Sequence, residues 1–307
     1  MASINRFKEN LTLLTENILS KKFLLAVSGG ADSMVLAHCF KESGLQFEIA
    51  HVNYHFREED SNLDQRLVED FCKTHQIKFH LKDVSEEEKA KMKSLQNWAR
   101  DIRYQFFFEV LEKEKLDCVV TAHHLNDDLE TFIINLSRGS GIKGLSGIPK
   151  NENRILRPFL KHSKAEIYAF AKDHKIDFRE DKSNLKNDYL RNKIRNDLVP
   201  KITEIFPNFL NQFQESLSHL QQANQFYQNT IEKTFEEIFI KGNNKEFTLD
   251  KEKLYQKDKT IALEIIRKLG FTGIEIEKLM NAENGKIFRS SSFEVQVKRK
   301  ELICTKK

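Results

Sequence analysis

Cysteine is sparse and scattered: Cys39, Cys72, Cys118 and Cys304 are the only four in 307 residues. No CxxC occurs and no His pair stands near them at zinc spacing. A structural metal, an iron–sulfur cluster and a redox dithiol are therefore unsupported, and buried thiols are expected. Proline numbers four, glycine eleven and tryptophan one, too few for a collagenous or low-complexity chain. Internal repeats are lacking, and no apolar run reaches the roughly 18 residues of a membrane span. Met1 to Leu14 mixes Arg6, Lys8 and Glu9 with apolar residues, unlike a secretory signal. A cytoplasmic protein with no membrane partner is expected. Charge is nearly balanced, 50 Lys and Arg against 46 Asp and Glu, formally +4, so its average favours an acidic partner only weakly.

What is present is a globular composition, 39% hydrophobic and 31% charged with 24 Phe, at a length that suggests two domains. Phe23 to Val27 is a short apolar run that ends at Ser28-Gly29-Gly30, and Asp32 to Lys41 then reads as a helix. The alternation recurs, with strands at Phe47 to Asn53, Ile77 to Val84 and Cys118 to His123 and helices at Leu63 to His75 and Leu95 to Glu114. Helical crossovers between such runs predict an α/β, doubly wound parallel sheet, whose ligands sit at the carboxyl ends of the strands.

Arg138 to Pro149 holds Gly139, Gly141, Gly144 and Gly147 and reads as a tight or mobile loop. Arg154 to Lys201 carries 13 Lys or Arg against 7 Asp or Glu, so the basic excess gathers there. From Phe206 to Ile238 apolar residues recur at steps of three and four, predicting a long amphipathic helix. Beyond Gly242 the pattern suggests helices to Leu269 and over Thr272 to Ala282, then β pieces near Ile287, Phe293 to Val297 and Leu302 to Cys304, a small α+β domain.

Two constellations carry chemistry. In Ser28-Gly29-Gly30-Ala31-Asp32-Ser33, between strand and helix, the glycines let backbone amides approach a phosphate and the serines add donors. Asp32 would repel phosphate unless a cation such as Mg²⁺ intervened. A plain helix-capping turn is the bland alternative. The pattern is not the GxxxxGK[ST] of γ-phosphate transfer. The second is Thr121 to Thr131, where His123, His124, Asp127 and Glu130 cluster at the sheet's carboxyl edge. Asn126 can cap the helix there, and Asp128 reads as a helix-dipole partner.

Ala26 to Ser33 resembles the SGGxDS loop of the PP-loop (N-type) ATP pyrophosphatases, which cleave ATP between the α and β phosphates and adenylate an acceptor. His51 to Arg57 resembles the HVNHGLR segment of tRNA(Ile)-lysidine synthases, and Ala122 to Thr131 their AHHxDDxxET. Leu136 to Gly147 is similar to their LLRGSGxxGLxG, Arg157 to Leu160 to their RPLL, and Glu180 to Pro200 to their ED-SN...YxRNxIRxxLxP. Tyr54 stands where that family usually has His, Asn126 where an acid is common, and Lys186 where Asp often follows the SN pair.

The resemblance implies adenylation, by ATP with Mg²⁺ on Asp32, of O2 of the wobble cytidine of tRNA(Ile) with its CAU anticodon. Free L-lysine then displaces AMP to give lysidine. Lysine arrives as an ammonium, pKa about 10.4, and needs an anionic seat and a base, roles that fall to Asp127 and Glu130. Arg103, with His123 beside it, is directed to the α phosphate, and Arg191, Asn192 and Arg195 to the RNA. Residues 1–205 are then the ATP-binding catalytic domain, 206–241 a helical connector and 242–307 a tRNA-binding domain; a homodimer is admitted. A PP-loop thiolase is the nearest rival, disfavoured by the cysteine spacing. GMP and NAD synthetase types share the first loop but not the later motifs, and a non-catalytic tRNA-binding protein is disfavoured by the intact Asp32, Arg103, Asp127 and Glu130.

Overall fold

The computed structural model describes residues 4–57, 59–90, 95–180 and 190–307; Ser183, Asn184, Lys186 and Tyr189, singled out above, lie outside them. They form two compact units, 1–220 and 221–307.

The first unit runs α1 Ile4–Thr12, β1 Lys22–Ala26, α2 Ala31–Glu42, β2 Gln46–Asn53, α3 Glu59–His75, β3 Phe79–Asp83, α4 Glu86–Ala90 and α5 Leu95–Lys113. It continues with β4 Cys118–Val120, α6 Leu125–Ser137, α7 Ile142–Leu145, β5 Asn151–Glu152, β6 Ile155–Leu156, α8 Lys164–Asp173, α9 Leu190–Lys193, a π-helical turn Ile194–Leu198 and α10 Val199–Ile205. Strand order is β3-β2-β1-β4-β6-β5, parallel except for the edge pair β5–β6. The doubly wound α/β expectation therefore holds.

β1 shows why its sequence is an unbroken apolar run. Phe23 and Leu25 point into a core with Phe40 of α2 and Phe159, while Leu24 points to the other face, against Phe107 and Leu111 of α5. A strand covered on both faces has no polar side to alternate with. The many phenylalanines fill the first of these cores edge-to-face, Phe23–Phe40 at 5.2 Å, Phe7–Phe40 at 5.4 Å and Phe7–Phe159 at 5.9 Å. Chain order reverses between β1 and β4, and the crevice above that pair is where a ligand fits. β4 stops pairing with β1 after Val120, and Thr121 to His124 run on beyond the ladder as part of the site rather than as strand.

α11, Phe209–Ile238, is the long helix expected; Phe213 and Leu217 pack on Leu125 and Leu129 of α6. The second unit then has β7 Phe239–Gly242, β8 Glu246–Asp250, α12 Lys251–Gln256, α13 Lys259–Lys268, α14 Ile274–Met280, β9 Ile287–Arg289, β10 Phe293–Val297 and β11 Glu301–Lys306. Its antiparallel sheet, β7-β8-β11-β10-β9, covers a core of Ile265, Ile266, Leu279, Val295 and Leu302. The helical reading from Gly242 to Leu269 is corrected here. Phe247, Thr248 and Leu249 pair with Leu302, Ile303 and Cys304 of β11, and this tertiary pairing overrides a stretch whose local pattern was ambiguous.

Candidate active site

The turn after β1 is shaped by Gly29, whose φ of +92° only glycine adopts without strain, and a Cβ there would press on Asp64 O at 3.2 Å. Gly30 opens α2. Ser33 Oγ donates to Gly30 O at 3.0 Å and accepts from Ser28 N at 3.1 Å, so the serines brace the turn. Beneath it Asp64 accepts from Arg57 Nη2 at 2.9 Å and Arg179 Nε at 2.8 Å, and Arg179 N donates to Gly29 O at 3.0 Å. Asp32 Oδ1 is buried with no hydrogen-bond partner, while its Oδ2 lies 3.7 Å from His124 Nε2.

At the neighbouring turn, His124 and not Asn126 caps α6. His124 N donates to Asp127 Oδ2 at 3.0 Å, and Asp127 N approaches His124 Nδ1 at 3.4 Å, a reciprocal box. Asn126 Oδ1 instead accepts from Lys164 N at 2.9 Å, joining the start of α6 to the start of α8. Asp128 is more than a dipole partner. It is buried, accepts from Ile148 N at 2.6 Å, and is pushed up to about 7, mainly by burial. Gly147 lies so close to that carboxylate that a side chain there would collide with it.

Burial holds the pKa of His123 down at about 4, and Arg157, Arg191 and Arg103 add to the effect, so the ring is neutral near pH 7. Burial also opposes charge on His124, but Asp32, Asp127 and Glu130 outweigh it and raise its pKa. Asp127 is likewise buried against its charge, yet His124, His123 and Arg191 hold its carboxyl below the usual range.

Arg191 and Arg195 do not face solvent phosphate in this state. Arg191 Nε donates to Glu130 Oε2 at 2.7 Å; Arg195 Nε and Nη2 donate to Glu130 Oε1 and Oε2 at 2.6 and 2.9 Å. Both guanidinium groups also reach Asp127 Oδ1 at 3.3 Å. The π-helical turn, which contains Arg195, follows directly on α9, which carries Arg191 and Asn192, and Asn192 is half-buried.

Two cavities meet at these turns. The larger, about 380 Å³, has an apolar wall of Ala26, Ala50, Val52 and Phe107 and a polar end formed by Ser28, Asp32, Arg103, His123 and Asp127. Arg103 carries no ion pair among the described residues and is exposed. The smaller, about 180 Å³, shares Asp32, Asp127 and Arg195 and adds Arg57, Asp64, Lys164, Arg179 and Glu180. The arrangement can hold an aromatic ring, a polyphosphate and a charged second reactant in adjoining spaces.

The family described as the PP-loop domain matches residues 4–202. The chain belongs to the PP-loop family. Its PP-loop, Ser28 to Ser33, is the turn whose geometry is given above, and residues 240–307 match a second family, the TilS substrate binding domain. Among relatives, a tRNA(Ile)-lysidine synthase of Bacteroides thetaiotaomicron is 34% identical over 86% of this chain and 62% of that protein. One of Parabacteroides distasonis is 31% identical over 94% and 66%, and one of Bacillus subtilis 33% over 80% and 53%. The PP-loop chain thus spans between half and two thirds of the length of these relatives. A solved U34-tRNA thiolase, NcsA from Methanococcus maripaludis, superposes with a TM-score of 0.57 over 71% of this chain and 80% of its own; at 19% identity this shows a common fold.

Sequence reasoning assigned no partners to Arg191 and Arg195 among the acids, and missed Asp64, Arg57 and Arg179 beneath the PP-loop. Their pairings span up to 119 positions of chain, which no local pattern signals. The only clue was that Arg57 stands within the HVNHGLR-like segment and that Arg179 directly precedes the ED-SN-like segment, which begins at Glu180.

Proposed function

We propose that the chain carries out the tRNA(Ile)-lysidine synthase reaction: ATP adenylates O2 of the wobble cytidine of tRNA(Ile), and the ε-amine of free L-lysine then displaces AMP. The observation that carries this reading is the shared wall of the two cavities, in which Asp32 and Asp127 face both. The larger suits the adenosine and α phosphate. The smaller carries charges of both signs, as the ammonium and carboxylate of an amino acid require.

Asp32 fits a Mg²⁺ ion, since a buried carboxylate oxygen without a partner is costly unless a ligand satisfies it. No group of three or more His, Cys, Asp or Glu able to hold a metal occurs among the described residues. The other ligands would then be phosphate oxygens and water, the usual mode for Mg²⁺. When bound, the ion would screen the phosphate charge. Arg103 lines the polar end of the larger cavity, which supports assigning it to the α phosphate, to offset the charge that develops as pyrophosphate leaves. Neutral His123 presents a hydrogen-bonding edge there without adding a competing cation.

Asp127 is held ionised, which suits a seat for the lysine ammonium better than a proton acceptor, because a carboxylate with a depressed pKa is a weak base. Lysine would have to share Asp127 and Glu130 with Arg191 and Arg195, whose RNA role then requires release from these acids. The four cysteines argue against thiolation: all are buried, and burial raises Cys72 and Cys304 to about 12 and Cys39 and Cys118 above their ordinary value.

The test is incorporation of labelled lysine into total bacterial tRNA with ATP, followed by digestion to nucleosides. Lysidine in the digest is expected. Incorporated sulfur, or RNA binding with no ATP-dependent product, would sink the reading.

A further inference from the structure

We propose that Lys150, Arg157 and Lys161 form a seat for a backbone phosphate of the RNA substrate, separate from the PP-loop and from the Arg191–Arg195 segment. The inference rests on the reading that the substrate is an RNA.

The three cations line one cavity of about 160 Å³, whose lining also includes Asn10 and the apolar Leu13, Leu14 and Leu160. Arg157 is 4% exposed, and its Nε is buried with no acceptor. Arg157 Nη1 donates to Pro149 O at 2.5 Å. A guanidinium removed from water with donors unused is a costly arrangement that an anion relieves. Lys150 is half-buried, and its pKa is lowered first by burial and then by the nearby charge of Lys161. Neither lysine has an ion pair among the described residues. Two like charges held together beside an unsatisfied arginine gain from a negative group placed among them.

The carboxylate that faces this cluster is Asp128, and it does not supply that group. It is engaged with Ile148 N and, with its pKa pushed up to about 7, is only about half ionised at pH 7, so it cancels only part of the positive charge.

Position selects RNA over the nucleotide. Arg157 directly follows β6, and β6 is separated from β1 and its PP-loop by β4, about 10 Å across the sheet at ordinary strand spacing. The cavity therefore lies on the same carboxyl edge as the candidate active site but beyond the turn that takes ATP. A strand of RNA whose target base enters the larger cavity can lay a neighbouring phosphate here.

The experiment measures binding of a labelled anticodon stem-loop RNA across a potassium chloride series, with lysine incorporation by the wild type measured in parallel. Lys150→Ala with Lys161→Ala removes two charges from the cavity wall without opening the core. Affinity at low salt should fall by about ten-fold or more, and the slope of log K against log salt by about one to two units, with ATP affinity and melting temperature retained. Arg157→Lys, which keeps a charge but loses the planar fork, should weaken RNA binding less than Arg157→Ala. Wild-type slopes in the folded double variant would overturn the proposal even if lysine is incorporated. Flattened slopes support it even if lysine is not incorporated, in which case the lysidine reading alone falls. Inorganic phosphate at constant ionic strength supplies the other arm: if it occupies the wild-type site, as seen by protection of Lys150 from acylation, while RNA gives no protection, the seat is for a free anion and the RNA assignment is overturned.

Discussion

The turns that follow β1 and β4 are neighbours in the sheet, yet they treat their carboxylates in opposite ways. After β1, Asp32 keeps a buried oxygen with no partner. After β4, Glu130 accepts three charge-assisted bonds from Arg191 and Arg195, and Asp127 accepts from the His124 amide and from both arginines. A buried acceptor left open is a place held for something the chain does not supply. A buried acid already saturated by arginines must lose partners before it can take a ligand, and that exchange is where selectivity can enter, since only a ligand of matching charge offsets what is lost.

The first way to break the comparison is at its open end. Asp32→Ala should abolish adenylation of tRNA, a loss of at least about three orders of magnitude if it removes the protein's hold on Mg²⁺, while the melting temperature stays within a few degrees because Oδ1 bonds nothing in the folded chain and Oδ2 only approaches His124, at 3.7 Å. Transfer of labelled AMP to RNA and a thermal melt read both parts. Wild-type turnover, or loss of the fold, would mean that the open oxygen marks no ligand.

The saturated end predicts a split. Asp127→Asn and Glu130→Gln keep shape while removing charge, so each should depress lysine transfer, Glu130→Gln by about two to four orders of magnitude if it is the base and Asp127→Asn by loss of the ammonium's seat, and each should still form some adenylated RNA, followed separately by quench-flow. Equal loss of both signals would assign the acids to the fold or to Mg²⁺. Stability should distinguish the pair. Glu130, 2% exposed and bonded at 2.6 to 2.9 Å, anchors both arginines, whereas Asp127 meets them at 3.3 Å. Glu130→Gln should therefore lower the melting temperature more than Asp127→Asn, with the guanidinium groups left short of an anion.

Much of the frame was legible because its signals are local. The all-apolar β1 run, the glycine turn and the alternation with helices placed the PP-loop and strands β1 to β3 to within a residue or two, while the strand expected to His123 ends at Val120 and the edge strands β5 and β6 carried no signal. His123, Asp127 and Asp32 were found for the same reason, as each sits in a contiguous motif at the end of a strand, and the larger cavity brings them together. The fate of Arg191 and Arg195 was not legible. Their three-cation run looks the same whether it faces solvent, RNA or acids some 60 positions earlier in the chain, and only the folded path decides. The same holds for β8, whose strand character comes from β11, over fifty residues later.

Asn126 offers the smallest test, and it bears on why that position departs from an acid. Its Oδ1 accepts from Lys164 N, the first amide of α8, which the Ser163–Glu166 capping box leaves without an intrahelical partner. It thus ties the helix that carries Asp127 and Glu130 to the one whose first residue, Lys164, lines the smaller cavity. Asn126→Ala should cost about 1 kcal/mol, the usual worth of such a cap, or about 2 to 4 °C for a unit of this size. Asn126→Asp should restore that stability, because a carboxylate accepts the same bond and favours the positive end of α8. It should nonetheless weaken activity slightly, since it adds a second negative charge beside Asp127. If Asn126→Ala melts like the wild type, the bond to Lys164 contributes nothing and the two helices are joined by other packing. If Asn126→Asp is both stable and fully active, the position has no electrostatic constraint, and the contrast between the open and the saturated turn stops short of it.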